Sequence, residues 1–386
     1  NKSIRILHIF ITLLLFQGVC FASENGALYK PAVASAHPYA TQAGLQVLKQ
    51  GGNAVDAAIA VSATLAVVEP YSSGIGGGGF YLLHVAADDD YVMIDAREKA
   101  PLKAHQKMYQ DESGKVIDGA SINGALSAGI PGIPAALVHL SEKYGKLKLS
   151  QTLAAAIKHA REGFPVDKHY QRMASFRLDA FLQNEEASRI FLQDDDVPEL
   201  DYTIVQKDLA VTLERIAQYG HAGFYENEVA SKMVEDVQKN DGIWTTKDLA
   251  AYKVKQRKPD VSVYKGMKVV TSSLPSSGGL VLGEILGMLS HFEIEKMDDV
   301  QRTHHIAEAM RRAYRDRAEY MGDPDYIDAP LNHLVSAAYI KQLADSIDKL
   351  KATPSLSLKA VMQPSGNGTD TTHFSVLDSQ GNKVSA

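Results

Sequence analysis

Gly368-Thr369-Asp370-Thr371-Thr372-His373-Phe374-Ser375-Val376-Leu377-Asp378 is the stretch on which the reading of this 386-residue chain turns. It joins two unlike regions. Before it, residues 354–368 carry Ser, Pro and Gly at both ends, a composition that favours a loop. From Thr372 to Leu377, β-branched and aromatic residues take over, and these favour strands. Ser379-Gln380-Gly381-Asn382 then reads as a turn into a second short strand at 383–385. Taken alone, Thr371 is a structural residue at a strand start. A strand that stops at Ala386 would leave an unpaired edge, so the pattern leads us to expect a fragment, or one part of a longer precursor.

Upstream, residues 38–50 place Ala40, Ala43, Leu45, Val47 and Leu48 at helical spacing. Gly51-Gly52 stops that helix and Asn53 caps the next. The second helix, 54–68, is apolar nearly all round, as in a helix packed between layers. Its many Ala side chains would let a sheet approach closely. A Gly-rich turn at 72–79 leads into strands at 80–85 and 91–95, joined by Asp88-Asp89-Asp90. From 131 to about 348 the pattern is mainly helical. Helices are predicted at 134–144, 149–162, 209–219, 226–238, 278–290, 300–320 and 337–347, with short strands at 261–263 and 267–271.

The chain is long enough for a large core. Its 45% hydrophobic and 22% charged residues are an ordinary globular balance. A formal net charge of −6 gives no attraction to nucleic acid or an anionic membrane, and the aromatics are not interleaved with a basic stripe. At the start, Lys2 and Arg5 precede an apolar run at 6–16 and a small-residue exit, Val19-Cys20-Phe21-Ala22-Ser23. This reads as a secretory signal peptide, residues 1–22, cut after Ala22. The run is too short for a membrane span. Cys20 is the single cysteine, and Gln17, Gly18 and Val19 are poor neighbours for a lipoprotein box. Loss of the leader removes disulfides, thiol catalysis and cysteine metal sites.

Four motifs compete for function. Residues 74–79 contain GxGxxG, but a dinucleotide site needs that turn after a strand and before a helix. Here the order is helix, glycines, strand, so the glycines are expected to let backbone pass close to a strand or a substrate. His304-His305 sits with Glu308 on one helix, where His304 and Glu308 share a face and could hold a metal as a pair, yet no third ligand is evident, and Arg311 and Arg312 offer Glu308 ion pairs. Asn367-Gly368-Thr369 is a glycosylation sequon, read here as a turn. Arg97, in Asp95-Ala96-Arg97-Glu98-Lys99-Ala100-Pro101, follows a strand and could be a surface ion pair or a bidentate carboxylate clamp. No GxSxG elbow, HExxH helix or P-loop is present. No cofactor or metal is expected.

Six segments, in this order, resemble the γ-glutamyltranspeptidase family. They are residues 44–60 (GLQVLKQGGNAVDAAIA), 74–80 (GIGGGGF), 95–101 (DAREKAP), 275–279 (PSSGG), 320–325 (YMGDPD) and 371–375 (TTHFS). The resemblance runs from about Tyr29 to the last residue. It implies an α+β fold, the four-layer αββα sandwich of the N-terminal-nucleophile hydrolases, incomplete at the C-terminus. It also implies a precursor that cuts itself between Asp370 and Thr371. Residues 23–370 would be the large-subunit region and 371–386 the start of the small subunit, which stays bound as a partner. Thr371 would be the catalytic nucleophile and Arg97 the residue that holds the substrate α-carboxylate.

The physical chemistry of Thr371 suits that role. A free N-terminal amine, with a pKa near ~7.7, supplies a base within the same residue. The implied reaction passes a γ-glutamyl group from glutathione or another γ-glutamyl compound, through an acyl-enzyme, to water, an amino acid or a dipeptide. The implied oxyanion-hole and α-amino-binding residues lie beyond Ala386, so this chain by itself is expected neither to process nor to turn over. A periplasmic or secreted location follows from the leader. Two rivals stay open: an acylase or poly-γ-glutamate-processing enzyme of the same fold, and a non-catalytic secreted binding protein.

Overall fold

The computed structural model describes residues 29–358 and 371–386. The leader at 1–22, the sequon at 367–369 and Asp370 lie outside the described residues.

Gly51 and Gly52 separate two helices, α1 (Pro38–Lys49) and α2 (Ala54–Val68), as the sequence pattern predicts. Asn53 starts α2 through a reciprocal cap. Its side chain accepts from the Val55 and Asp56 amides at 2.9 Å, and Asp56 accepts from the Asn53 amide at 2.9 Å. All fifteen residues of α2 are buried. A helix without a polar face must have neighbours all round, and α2 lies between other helices and a sheet.

The sheet follows from strand β1 (Ala32–Ala34), the hairpin β2 (Gly79–Val85) and β3 (Asp90–Ala96), β4 (Lys255–Arg257), and the C-terminal hairpin. A separate two-stranded ribbon pairs β5 (Asp260–Tyr264) with β6 (Met267–Thr271). The C-terminal strands are β7 (Ser375–Leu377) and β8 (Lys383–Ser385). The six-stranded order is β1-β7-β8-β2-β3-β4, with every pair antiparallel. The register puts Val33, Val376, Val384, Leu83 and Val92 in one cross-strand row, and they share the main core with α2. Alternation sends Leu82, His84, Tyr91, Ser375 and Leu377 toward the opposite face, where an apolar hollow of about 450 Å³ opens.

Strand β8 corrects one expectation. It was expected to end in an unpaired edge, yet it is held on both sides, by β7 and by β2. Other differences are local. The helix expected at 149–162 breaks into Leu149–Thr152 and Ala154–Glu162 at Leu153. Helix α3 (Lys168–Leu182) was not anticipated, because it buries Tyr170, Met173 and Ala174 but exposes Phe176 and Leu182, which blurs its period.

A smaller core gathers around α4 (Gly278–Leu289), α5 (Asp299–Tyr320) and α6 (Ala337–Asp345). Here lies Glu308, bonded to Arg312 Nη1 at 2.8 Å, to Arg311 and to Thr353 Oγ1 at 2.5 Å. The arginine pairing read from the sequence is what the helix contains. His304 Nε2 lies 2.7 Å from the Asp348 carbonyl oxygen instead. Burial alone would raise the Glu308 carboxyl, but the bonds from Thr353, Arg312 and Arg311 outweigh it and hold it at about 2, against an ordinary 4.5. A depressed carboxylate contributes stability above its unfolded value and loses it as pH falls. We therefore expect part of the stability to disappear between pH 4.5 and about 2. Glu308→Gln should remove that part of the acid dependence in urea titrations; parallel acid limbs for parent and variant would contradict the assignment.

The C-terminal hairpin is fastened to α2 by Asp378, which is 1% exposed. Its carboxylate accepts from the Ala54 amide at 3.0 Å, the first turn of α2, and from the Gln380 amide, the Asn382 amide and Asn382 Nδ2. An anion at a helix N-terminus is favoured by the helix dipole. Asp378→Ala leaves several of these donors without acceptors and should cost about 2–4 kcal/mol. An unchanged urea midpoint would contradict that.

Candidate active site

The C-terminal end of α2 opens onto a cleft of about 590 Å³. Its walls come from residues after α2, from the glycine turn, from the end of β3 and from the segment that starts at Thr371. The Glu69 carbonyl oxygen ends the helix and accepts from the Ser72 and Ser73 amides at 3.0 and 2.9 Å, which starts the turn. The Gly77 carbonyl oxygen accepts from the Gly132 and Ile133 amides at 2.8 and 3.1 Å, joining the turn to the start of helix Ile133–Tyr144.

Two glycines permit this packing by their size. A Cβ on Gly78 would lie 2.6 Å from the Ala96 carbonyl oxygen and 2.6 Å from the Glu98 amide nitrogen. A Cβ on Gly132 would collide with the Ala96 carbonyl oxygen and the Tyr252 hydroxyl. The glycine run thus serves close backbone approach to the neighbouring strand and its loop, the role expected once the dinucleotide reading was set aside. The order helix, glycines, strand is observed.

Arg97 leaves the end of β3 into this cleft. Its backbone is fixed: the amide donates to Asp95 Oδ1 at 3.0 Å, and the carbonyl accepts from the Tyr252 hydroxyl at 2.8 Å. Its side chain is 61% exposed, with Nη1 at 3.5 Å from Glu98 Oε2. The support beneath it is stronger than the tip. Buried Asp95 binds Arg257 Nε at 2.8 Å, and Arg257 Nη2 binds Asp325 at 3.1 Å. Lys255 also pairs with Asp325. Hydrogen bonds from Lys255 and Arg257 hold the Asp325 carboxyl down at about 2. Segments 95–101 and 320–325, far apart in sequence, are therefore tied through Arg257.

Thr371 lines the same cleft, as do Thr372, His373 and Phe374. Thr371 and Arg97, both singled out from the sequence, are brought to one cavity; Asp370 lies outside the described residues. Thr372 Oγ1 donates to Glu69 Oε2 at 3.0 Å. Glu69 is 3% exposed, and its burial raises the carboxyl above the ordinary range, with the Thr372 bond opposing the rise. Phe374 packs edge-on to Tyr81, whose hydroxyl lies 2.7 Å from Ser62 Oγ. Burial pushes that phenol up to about 12, so it stays neutral and structural. A second hollow, about 640 Å³, shares Ser72, Thr371, Thr372 and His373 and is also lined by Glu69, His169 and Arg172.

Glu69, Glu98, Tyr252 and Arg257 were not found from the sequence. Glu98 sat beside Arg97 and could have been suspected. Arg257 lies on Lys-Gln-Arg, a three-residue strand with no β-forming composition, and nothing marked it. Among the described residues, no group of three or more His, Cys, Asp and Glu side chains is placed to hold a metal ion. A threonine hydroxyl and a guanidinium in one cleft are groups that could serve acyl transfer from a substrate that carries a carboxylate.

The family model for gamma-glutamyltranspeptidase matches residues 40–386. The glutathione hydrolase proenzyme of Pseudomonas sp. (strain A14) is 39% identical over 370 residues, covering 94% of this chain and 62% of that protein. The chain thus spans about three fifths of the length of such curated relatives. The crystal structure of Helicobacter pylori gamma-glutamyltranspeptidase superposes with a TM-score of 0.82 at 40% identity, over 87% of this chain and 97% of that one. A cephalosporin acylase from Bacillus halodurans superposes at 0.80 with 28% identity, over 96% and 67%. With six motifs in order, a family match over nearly the whole described chain and a shared mixed α/β fold, this chain belongs to the gamma-glutamyltranspeptidase family.

Proposed function

We propose that this chain forms the large-subunit region and the first residues of the small subunit of a γ-glutamyl transferase and hydrolase, with Thr371 as nucleophile. The observation that carries the proposal is that Thr371 and Arg97 line one cleft at the end of a buried helix. The division falls between Asp370 and Thr371, and residues 1–22 act as the export leader to a periplasmic or extracellular location. No helix among the described residues is long and apolar enough to cross a membrane. A second sheet, supplied by the rest of the small subunit, would cover the apolar hollow over Leu82, Tyr91 and Leu377 and complete the four-layer sandwich.

Maturation then proceeds by attack of the Thr371 hydroxyl on the Asp370 carbonyl. The peptide C–N bond breaks as the ester C–O bond forms, and the freed nitrogen takes the hydroxyl proton. Water opens the ester, leaving the Asp370 carboxylate and a free Thr371 amine. In turnover that amine takes the Thr371 hydroxyl proton as the oxygen attacks the γ-carbonyl of glutathione or another γ-glutamyl compound. The leaving amine takes a proton and departs. The γ-glutamyl ester is then transferred to water, an amino acid or a dipeptide.

Arg97 holds the α-carboxylate. Its backbone is fixed at two points while its guanidinium is exposed toward the cleft, so donors remain available to a ligand. In the complete precursor, Thr371→Ala should leave the chain uncut by mass and inactive. Arg97→Lys should process normally and lose roughly 10- to 100-fold in kcat/KM, chiefly through KM, since a Lys cannot form the paired bonds. Activity retained by Thr371→Ala would overturn the nucleophile and favour a binding protein. Comparing glutathione, γ-glutamyl-p-nitroanilide, poly-γ-glutamate and a β-lactam amide tests the substrate; preference for either of the last two would overturn it.

A further inference from the structure

We propose that Glu69 is a positioning residue, holding Thr371 in its reactive place by gripping the hydroxyl of Thr372; this rests on the nucleophile reading above. The contact joins residues 303 apart in sequence, at 3.0 Å. The carboxylate belongs to the residue that ends α2, and it is nearly fully buried. Its place is not explained by helix stability, because the negative end of a helix dipole disfavours an anion. Among the described residues it makes no ion pair within 4 Å; the groups that act on it include His169, Asp167, Tyr71 and, through the hydrogen bond, Thr372.

The need for such a grip follows from topology. Backbone pairing of the C-terminal hairpin begins at Phe374, whose amide donates to the Ala386 carbonyl at 2.9 Å. Thr371, Thr372 and His373 precede that point and belong to no strand. Once the chain is cut before Thr371, these three residues become a chain end, and chain ends lose order unless tied down. Fixing a residue costs backbone entropy that some contact must offset. The Glu69 bond supplies an anchor one residue from the reacting oxygen, at the end of a helix buried over its whole length. A nucleophile displaced by about 1 Å can lose roughly 100-fold in rate.

The test uses the complete precursor, with self-cleavage followed by mass and turnover of γ-glutamyl-p-nitroanilide followed by kcat and KM. Thr372→Val keeps the shape and removes the donor. It should slow cleavage and lower kcat roughly 10- to 100-fold, with KM changed less than about threefold. Thr372→Ser keeps the donor and should stay within about threefold of the parent. Glu69→Ala should match Thr372→Val, and the double variant should be no worse than the poorer single one. If Glu69→Ala does not fold, the isosteric Thr372→Val decides alone. A folded Thr372→Val with parental kcat, or a Thr372→Ser as impaired as Thr372→Val, overturns the inference. Thr371→Ala separates the two levels: if it is inactive while Thr372→Val is unchanged, only the positioning role falls; if it is active, the nucleophile reading falls with it.

Discussion

Two carboxylates at opposite ends of one buried helix hold the segment that begins at Thr371. Asp378 binds the first turn of helix Ala54–Val68, and Glu69 ends that helix and binds Thr372. The helix has 15 residues, about 22 Å of rigid length. Its first amides are capped by Asp378 and Asn53 and its side chains are buried on every side, so it cannot tilt without breaking the core. Whatever is pinned to its ends inherits that rigidity. The hairpin β7–β8 is also locked into the middle of the sheet, between β1 and β2. Thr371 therefore lies next to a hairpin anchored on both sides and at the helix.

The opposite wall of the cleft is built by exclusion and charge. Gly78 and Gly132 let the glycine turn and the start of a helix press on the backbone at Ala96, and that pressure sets where the chain leaves β3. Asp95, Arg257, Asp325 and Lys255 then fix the exit from below. Arg97 is the residue at that exit. A loosely held guanidinium on a firmly held backbone suits a ligand-binding role better than a structural one, because a structural arginine would spend its donors on the protein, as Arg312 does on Glu308 and Ser346.

Much of this was legible in the sequence, for identifiable reasons. The two helices at 38–50 and 54–68 carry strong periodicity and glycine stops, and they form almost as drawn. The strand pair at 80–85 and 91–95 is a pair of short apolar runs around an acidic turn, and it too forms. What escaped was set by tertiary contact. Strand Lys255–Arg257 exists because β3 presents it an edge and Asp95 captures Arg257, neither of which its composition signals. The supposed edge at β8 is interior because β2, some 300 residues earlier, pairs with it. Thr371 and Arg97 were found through motif order; Glu69 was not, because a lone acidic residue after an apolar helix reads as a solvated end until its burial is seen.

The proposed chemistry depends on residue 371 becoming an N-terminal nucleophile. Its most direct test is peptide mapping by mass spectrometry of the matured complete protein, quenched during turnover of a γ-glutamyl substrate. The expected result is a second chain beginning at Thr371 and bearing a γ-glutamyl ester on its hydroxyl. A new chain end at another residue, or the acyl group on a different side chain, would contradict it.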